Sequence, residues 1–253
     1  RIVKQGLGAT KKRIVEKLGE AKDEEKKEYY NAALITIESV IRYIMRYVDE
    51  LKKQSKNEMH SKERRQELAA MAEICAKVST EKADTFYEGV QLVWLLHMVQ
   101  SICWGSALSF GRFDQYLAEL YENDIKNGTI TKDQAKEILC CMWLKVNEPR
   151  MRTVQSLTVG GITPDGKDAA NSLTRLCLEV VREMKLPYPN VGARINKLNP
   201  EWLYDEIVDS IRAGGGQPMI MNDDVWIAAL RRLGYEDKYA NDYYNMGCVE
   251  IMI

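Results

Sequence analysis

Histidine is scarce and proline is confined. The 253 residues hold only two histidines, His60 and His97, and no Cys-x-x-Cys pair, so a structural zinc centre is not expected. All six prolines fall between Pro149 and Pro218, and a first half free of helix-breaking proline can form long helices. Neither sign of charge predominates. A net charge of −1 and a pI near 6.3 give no reason to expect nucleic acid or an anionic membrane as partner. Long apolar runs are missing too: the run at Val93–Leu96 is far too short to cross a bilayer. The sequence opens on no secretory pattern, and it contains neither an internal repeat nor a low-complexity linker. The six cysteines, Cys75, Cys103, Cys140, Cys141, Cys177 and Cys248, lie in apolar or helical stretches, which predicts reduced thiols and a cytoplasmic protein.

What is present is enough apolar material, 45% of residues, for a real core. Leu34, Ile37, Ile41, Ile44, Val48 and Leu51 recur at steps of three and four and predict one apolar stripe on a long helix. A second helix is expected over about residues 85–100. A third opens at Thr131, which has capping-box spacing to Gln134, and runs through Leu144. From residue 151 the pattern alternates. VQSLTVGG (154–161), PNVGARI (189–195) and QPMIM (217–221) read as strands. Between and after them come helices over about 169–184, from Asn199-Pro200, and after Asn222-Asp223-Asp224. Strand–helix alternation implies parallel β–α units. We expect one α/β domain over 1–253, mainly helical over 1–150 and β–α over 151–253. Arg1 at one end and Ile253 inside an apolar stretch at the other lead us to expect a segment of a longer polypeptide.

The chemistry is suggested by YNMGCVEIMI (244–253). In an extended segment Cys248 and Glu250 would project to the same side, with β-carbons roughly 6.5–7 Å apart, a gap that suits one small molecule touching both. Gly247 permits close approach or a conformation that a β-carbon forbids. A carboxylate beside a thiol disfavours thiolate, an awkward pairing for ordinary nucleophilic catalysis. One-electron chemistry meets no such objection, because a thiyl radical abstracts a hydrogen atom and the carboxylate can take a neighbouring proton.

The string GCVE resembles the active-site loop of glycyl radical enzymes of the pyruvate formate-lyase-like superfamily. So, in the same order, do TFYEGVQLVW (85–94), SFGRFDQYLAELYENDI (109–125), SLTVGG (156–161), PYPNVGARI (187–195) and GGGQPMIMND (214–223). The resemblance covers essentially the whole chain. It implies a ten-stranded α/β barrel, of which this chain would supply a helical N-terminal part followed by β–α units. Cys248 would be the thiyl site and Glu250 the general base of a lyase, dehydratase or decarboxylase breaking a C–O, C–N, C–S or C–C bond. The stored radical would sit on a glycine in a motif like RVxGY. That motif does not occur here, so the segment by itself is expected to be inactive. A radical S-adenosylmethionine activating enzyme would install the radical, in an anaerobic host, and a homodimer is expected at full length, with no cofactor or metal bound by this segment.

Pyruvate formate-lyase itself uses two adjacent cysteines, whereas Val249 follows Cys248. Acyl transfer of that kind is the alternative reading, and a catalytically silent helical scaffold is another. The adjacent pair Cys140-Cys141 is read as helical core. In members that dehydrate glycerol or propanediol a His-Ser pair binds substrate hydroxyls, and the resemblance places Ser106 and Ala107 there, which disfavours a diol. Ser106 could hold a carboxylate, sulfonate or hydroxyl, and Gln155 and Ser156 are further substrate-binding candidates. Arg112 and Asp114 are read as a structural ion pair or helix-start device, GGGQP as a turn before a strand, and His97 as a core histidine. Tyr87, Trp94 and Trp104 are read as packing aromatics.

Overall fold

The computed structural model describes residues 2–104, 107–148 and 154–253, with the side chain of Trp104 outside that description. Two compact units divide at Val99/Gln100.

The first unit is helical: α1 (Ile2–Glu20), α2 (Glu24–Gln54), α3 (Lys62–Val78) and most of α4 (Phe86–Trp104). Asp23 caps α2 by accepting from the Glu25 N–H, and Glu24 and Glu25 open it while Lys52 and Lys53 close it, each sign matching the helix dipole. The expected stripe is its buried face. Ile37, Ile44 and Val48 join a core with Leu7, Cys75, Val78, Leu92 and Leu95, while Leu34, Ile41 and Leu51 pack against it half-buried. His97 is buried, with Trp94 tilted beside it.

The second unit is α/β. A four-stranded parallel sheet in the order β1 (Leu108–Arg112), β2 (Gln155–Gly160), β3 (Asn190–Ile195), β4 (Met219–Asn222) is interleaved with helices. These are α5 (Phe113–Asn127), α6 (Lys132–Val146), α7 (Ser172–Met184), α8 (Glu201–Arg212), α9 (Asp223–Arg232) and the single turn α10 (Asp237–Ala240). The chain then closes on an antiparallel hairpin, β5 (Tyr244–Met246) and β6 (Glu250–Met252). The capping box at Thr131–Gln134 is formed in both directions.

Period-two alternation explains how the sheet is covered. Leu157 and Val159 on β2, like Val191 and Ala193 on β3, are wholly buried apolar residues of one face. The opposite face carries Ser156, Thr158 and Gly160 on β2 and Asn190, Gly192 and Arg194 on β3. That polar and small row meets the hairpin, so β2 is buried along its whole length.

Two expectations are corrected and one strand is added. Leu108–Arg112, where the sequence predicts no element, forms a strand of alternating burial whose pairing with β2 shifts register between Ser109 and Arg112. Asn199 does not cap α8: Pro200 occupies that position, and the Asn199 side chain bonds instead to Asn196 N, Gly161 O and Asp168. The Cys140-Cys141 pair is not plain core, since Cys140 is half-buried and Cys141 exposed. No helix among the described residues is long and apolar enough to cross a membrane.

Candidate active site

Cys248 sits in the turn that joins β5 to β6. Met246 pairs with Glu250, leaving residues 247–249 as a three-residue connection. The backbone there is a turn rather than the extended segment expected. Gly247 explains the turn: its φ of +60° is a conformation L side chains rarely adopt. A β-carbon at Gly247 would also lie 2.7 Å from Glu250 Oε2. The carboxylate therefore needs the glycine.

Glu250 folds back over the turn. Its Oε2 accepts the N–H of Cys248 at 2.9 Å and the N–H of Val249 at 3.0 Å. Backbone N–H groups, first its own and then those of Val249 and Cys248, hold this exposed carboxyl below the usual glutamate range. It is ionised at neutral pH. Both turn N–H groups converge on Oε2. The Cys248 carbonyl accepts from Asn190 Nδ2 on β3 at 2.8 Å. Both backbone polar groups of the cysteine are thus engaged, and its residue is exposed. Burial alone pushes the Cys75 thiol up to about 11, and burial together with the Asp114 charge pushes the Cys177 thiol well above its ordinary value, as for inert core thiols.

Beneath the turn the hairpin is fastened to the sheet. The Asn245 N–H donates to Thr158 Oγ1 at 3.1 Å, and that hydroxyl donates back to Asn245 Oδ1. The Asn245 carbonyl accepts from Ser109 Oγ at 2.7 Å and Ser156 Oγ at 2.8 Å. Gly192 leaves the room this needs, for a β-carbon there would lie 2.7 Å from Asn245 Oδ1. One residue row earlier, two buried arginines grip the chain that feeds β5. Arg194 donates to both Asp223 oxygens at 2.8 and 2.9 Å and to the carbonyls of Tyr243 and Asn241. Arg112 donates to the carbonyls of Ile162 and Gly160 and pairs with Asp242 at 2.9 Å.

The structure therefore brings Cys248 and Glu250 into one turn. Gln155 and Ser156 are wholly buried: the Gln155 amide donates to the Val146 carbonyl, and Ser156 reaches the hairpin as described. Ser106 lies outside the described residues. Arg112 and Asp114 are structural but do not hydrogen-bond each other. Asp114, in the first turn of α5, accepts from Gly160 N and Thr174 Oγ1. A cleft of about 410 Å³ beside β5 is lined by Ser109, Arg112, Gln115, Tyr116, Asp242 and Tyr244 among others; neither Cys248 nor Glu250 borders it. Among the described residues no cluster of three or more His, Cys, Asp or Glu is arranged to hold a metal.

Sequence reasoning passed over Asn190, Arg194 and Asn245. A signal was available. PNVGARI places Asn, Gly and Arg on one face of a strand whose other face is apolar, and a doubly buried parallel strand normally reads apolar on both.

A family model described as pyruvate formate lyase-like matches residues 1–253. The chain belongs to that family. It is 33% identical over 99% of its length to the isethionate sulfite-lyase of Nitratidesulfovibrio vulgaris, of which it covers 33%. It is 34% identical over 90% of its length to the (2S)-3-sulfopropanediol dehydratase of Klebsiella oxytoca, covering 29% of that protein. The crystal structure of a glycyl radical enzyme from Archaeoglobus fulgidus superposes with a TM-score of 0.90 at 34% identity, over 98% of this chain and 34% of that one. The chain spans about a third of the length of the curated relatives it matches.

Proposed function

We propose that this chain carries the thiyl site of a glycyl radical enzyme that eliminates a group from a small molecule. The observation that carries the reading is the Cys248 turn: an exposed thiol, anchored through its own backbone, with an ionised carboxylate folded into the same three-residue connection. In the proposed sequence the Cys248 sulfur radical takes a hydrogen atom from a substrate carbon and becomes a thiol. Glu250 takes the proton of the adjacent hydroxyl, and the leaving group departs with its bonding pair. The product radical then recovers a hydrogen atom from Cys248, restoring the thiyl. The radical would be stored on a glycine outside these residues and installed by a radical S-adenosylmethionine activase in an anaerobic cytoplasm.

As substrate class we propose small hydroxylated acids, sulfonates foremost, with sulfite or water leaving. The likeness to a sulfite-lyase and a sulfopropanediol dehydratase supports this, and Ser106 remains the proposed contact to the anionic or hydroxyl group. Ser156, wholly buried and bonded to the Asn245 carbonyl, we assign to holding the loop from beneath, and Gln155, buried and bonded to the Val146 carbonyl on the other face of β2, to fixing β2 against the end of α6. Acyl transfer is less well supported, because the position after Cys248 is valine.

The test uses the full-length polypeptide, activated anaerobically and offered isethionate, (2S)-3-sulfopropanediol and trans-4-hydroxy-L-proline. Elimination from one of them, lost in both Cys248→Ser and Glu250→Gln, is expected. Turnover by Cys248→Ser, or failure of any radical to form with the activase, would overturn the proposal.

A further inference from the structure

We infer that Asn190 is a positioning residue for the Cys248 thiol, an inference that rests on the catalytic role proposed for Cys248. The hairpin-facing row of β3 meets the cysteine hairpin at three levels. Arg194 donates to the Tyr243 carbonyl at 2.8 Å. Gly192 leaves space for the Asn245 amide. Asn190 donates to the Cys248 carbonyl at 2.8 Å. Spacing along β3 by two residues thus indexes the hairpin at 243, 245 and 248, and Asn190 is the member of the row that touches the cysteine itself.

The carbonyl it binds belongs to an exposed residue, where water could satisfy the oxygen equally well. The bond therefore contributes register. With the Cys248 N–H held by Glu250 and its carbonyl by Asn190, rotation of the side chain is the principal freedom left to the sulfur. Without Asn190 the peptide linking residues 248 and 249 can rotate, and the thiol leaves the line set by β3.

The experiment follows amide hydrogen exchange in the unactivated full-length polypeptide, without substrate, for Asn190→Asp, Asn190→Ala and Asn190→His. Aspartate keeps the shape but has no N–H to donate, whereas histidine can donate from Nδ1 at a similar reach. The Asp and Ala variants are expected to exchange about fivefold faster at residues 247–250, the ordinary net effect of one hydrogen bond. Exchange in β2 and β3 stays unchanged, and the His variant returns close to wild type. Wild-type exchange in all three, acceleration spread equally through β2 and β3, or a His variant no better than Ala would each overturn the inference. In the activated enzyme the Asp variant is expected to keep its radical content and KM while kcat falls. Turnover by Cys248→Ser would defeat the proposed function alone, since the exchange measurement still decides whether Asn190 holds the turn.

Discussion

Replacing Arg194 with methionine isolates what holds the Cys248 hairpin in place. The guanidinium is completely buried, as is its partner Asp223. It makes two bonds to that carboxylate at 2.8 and 2.9 Å, two to the backbone at Asn241 and Tyr243, and lies 3.9 Å from the Tyr243 ring centroid. Methionine fills much of the volume but leaves the Asp223 carboxylate buried with the Tyr243 hydroxyl as its remaining hydrogen-bonding side chain. Orphaning one member of a buried pair costs about 3–5 kcal/mol, roughly a hundred- to several-thousand-fold in the ratio of open to closed states. Amide hydrogen exchange of residues 241–246 in the full-length protein reads that ratio directly. Removing both charges, as in Arg194→Met with Asp223→Leu, should recover most of the loss, because desolvation then no longer opposes the fold. Exchange within about tenfold of wild type in the single variant, or a double variant no better than the single, would refute the reasoning.

Other consequences concern the turn and its neighbours. Gly247→Ala forces a left-handed L-residue, about 1–2 kcal/mol, and sets a methyl 2.7 Å from Glu250 Oε2; turnover should fall about tenfold at unchanged radical content, and full activity would show that this turn is not the working conformation. Glu250→Gln retains an oxygen for the two turn N–H groups but loses the base, so kcat should drop by about 10²-fold or more with wild-type exchange at 247–250, whereas Glu250→Ala should disturb both. In the pH profile of kcat/KM, the acid limb due to Glu250 should fall below the ordinary glutamate range, because backbone N–H groups favour its ionised form; the bonds to the turn are present above that range and fail as pH drops through the lowered value. Asp114 goes the other way. Burial raises its pKa against the opposing pull of Arg112, so its contribution to stability is complete below the unfolded value and declines as pH rises through the folded one. Thermal midpoints of wild type and Asp114→Asn should therefore diverge in favour of the variant as pH rises, and parallel curves would contradict this.

Where a sequence signal was periodic and local, it was legible. The α2 stripe, the Thr131 capping box and strands β2 and β3 needed nothing beyond spacing and propensity. Long-range competition defeated the rest. Asn199-Pro200 has the composition of a helix start, yet the asparagine is drawn to Gly161 and Asp168. β1 is only five residues long and its register with β2 shifts between Ser109 and Arg112. At the site, the pairing of Cys248 with Glu250 came from i, i+2 spacing in a supposed strand. The structure joins them through a glycine turn and a carboxylate that reaches backward. The anchors Asn190, Asn245 and Arg194 depend on which face of β3 meets the hairpin, a fact of assembly that residue spacing only hinted at.

The most direct measurement of the central claim is turnover per spin in the activated full-length enzyme, with the glycyl radical counted by electron paramagnetic resonance in wild type and in Cys248→Ser. The account predicts equal spin counts with turnover abolished in the serine variant, since an O–H bond is too strong to take the sulfur's place in hydrogen-atom exchange. Comparable turnover per spin in both proteins would contradict it.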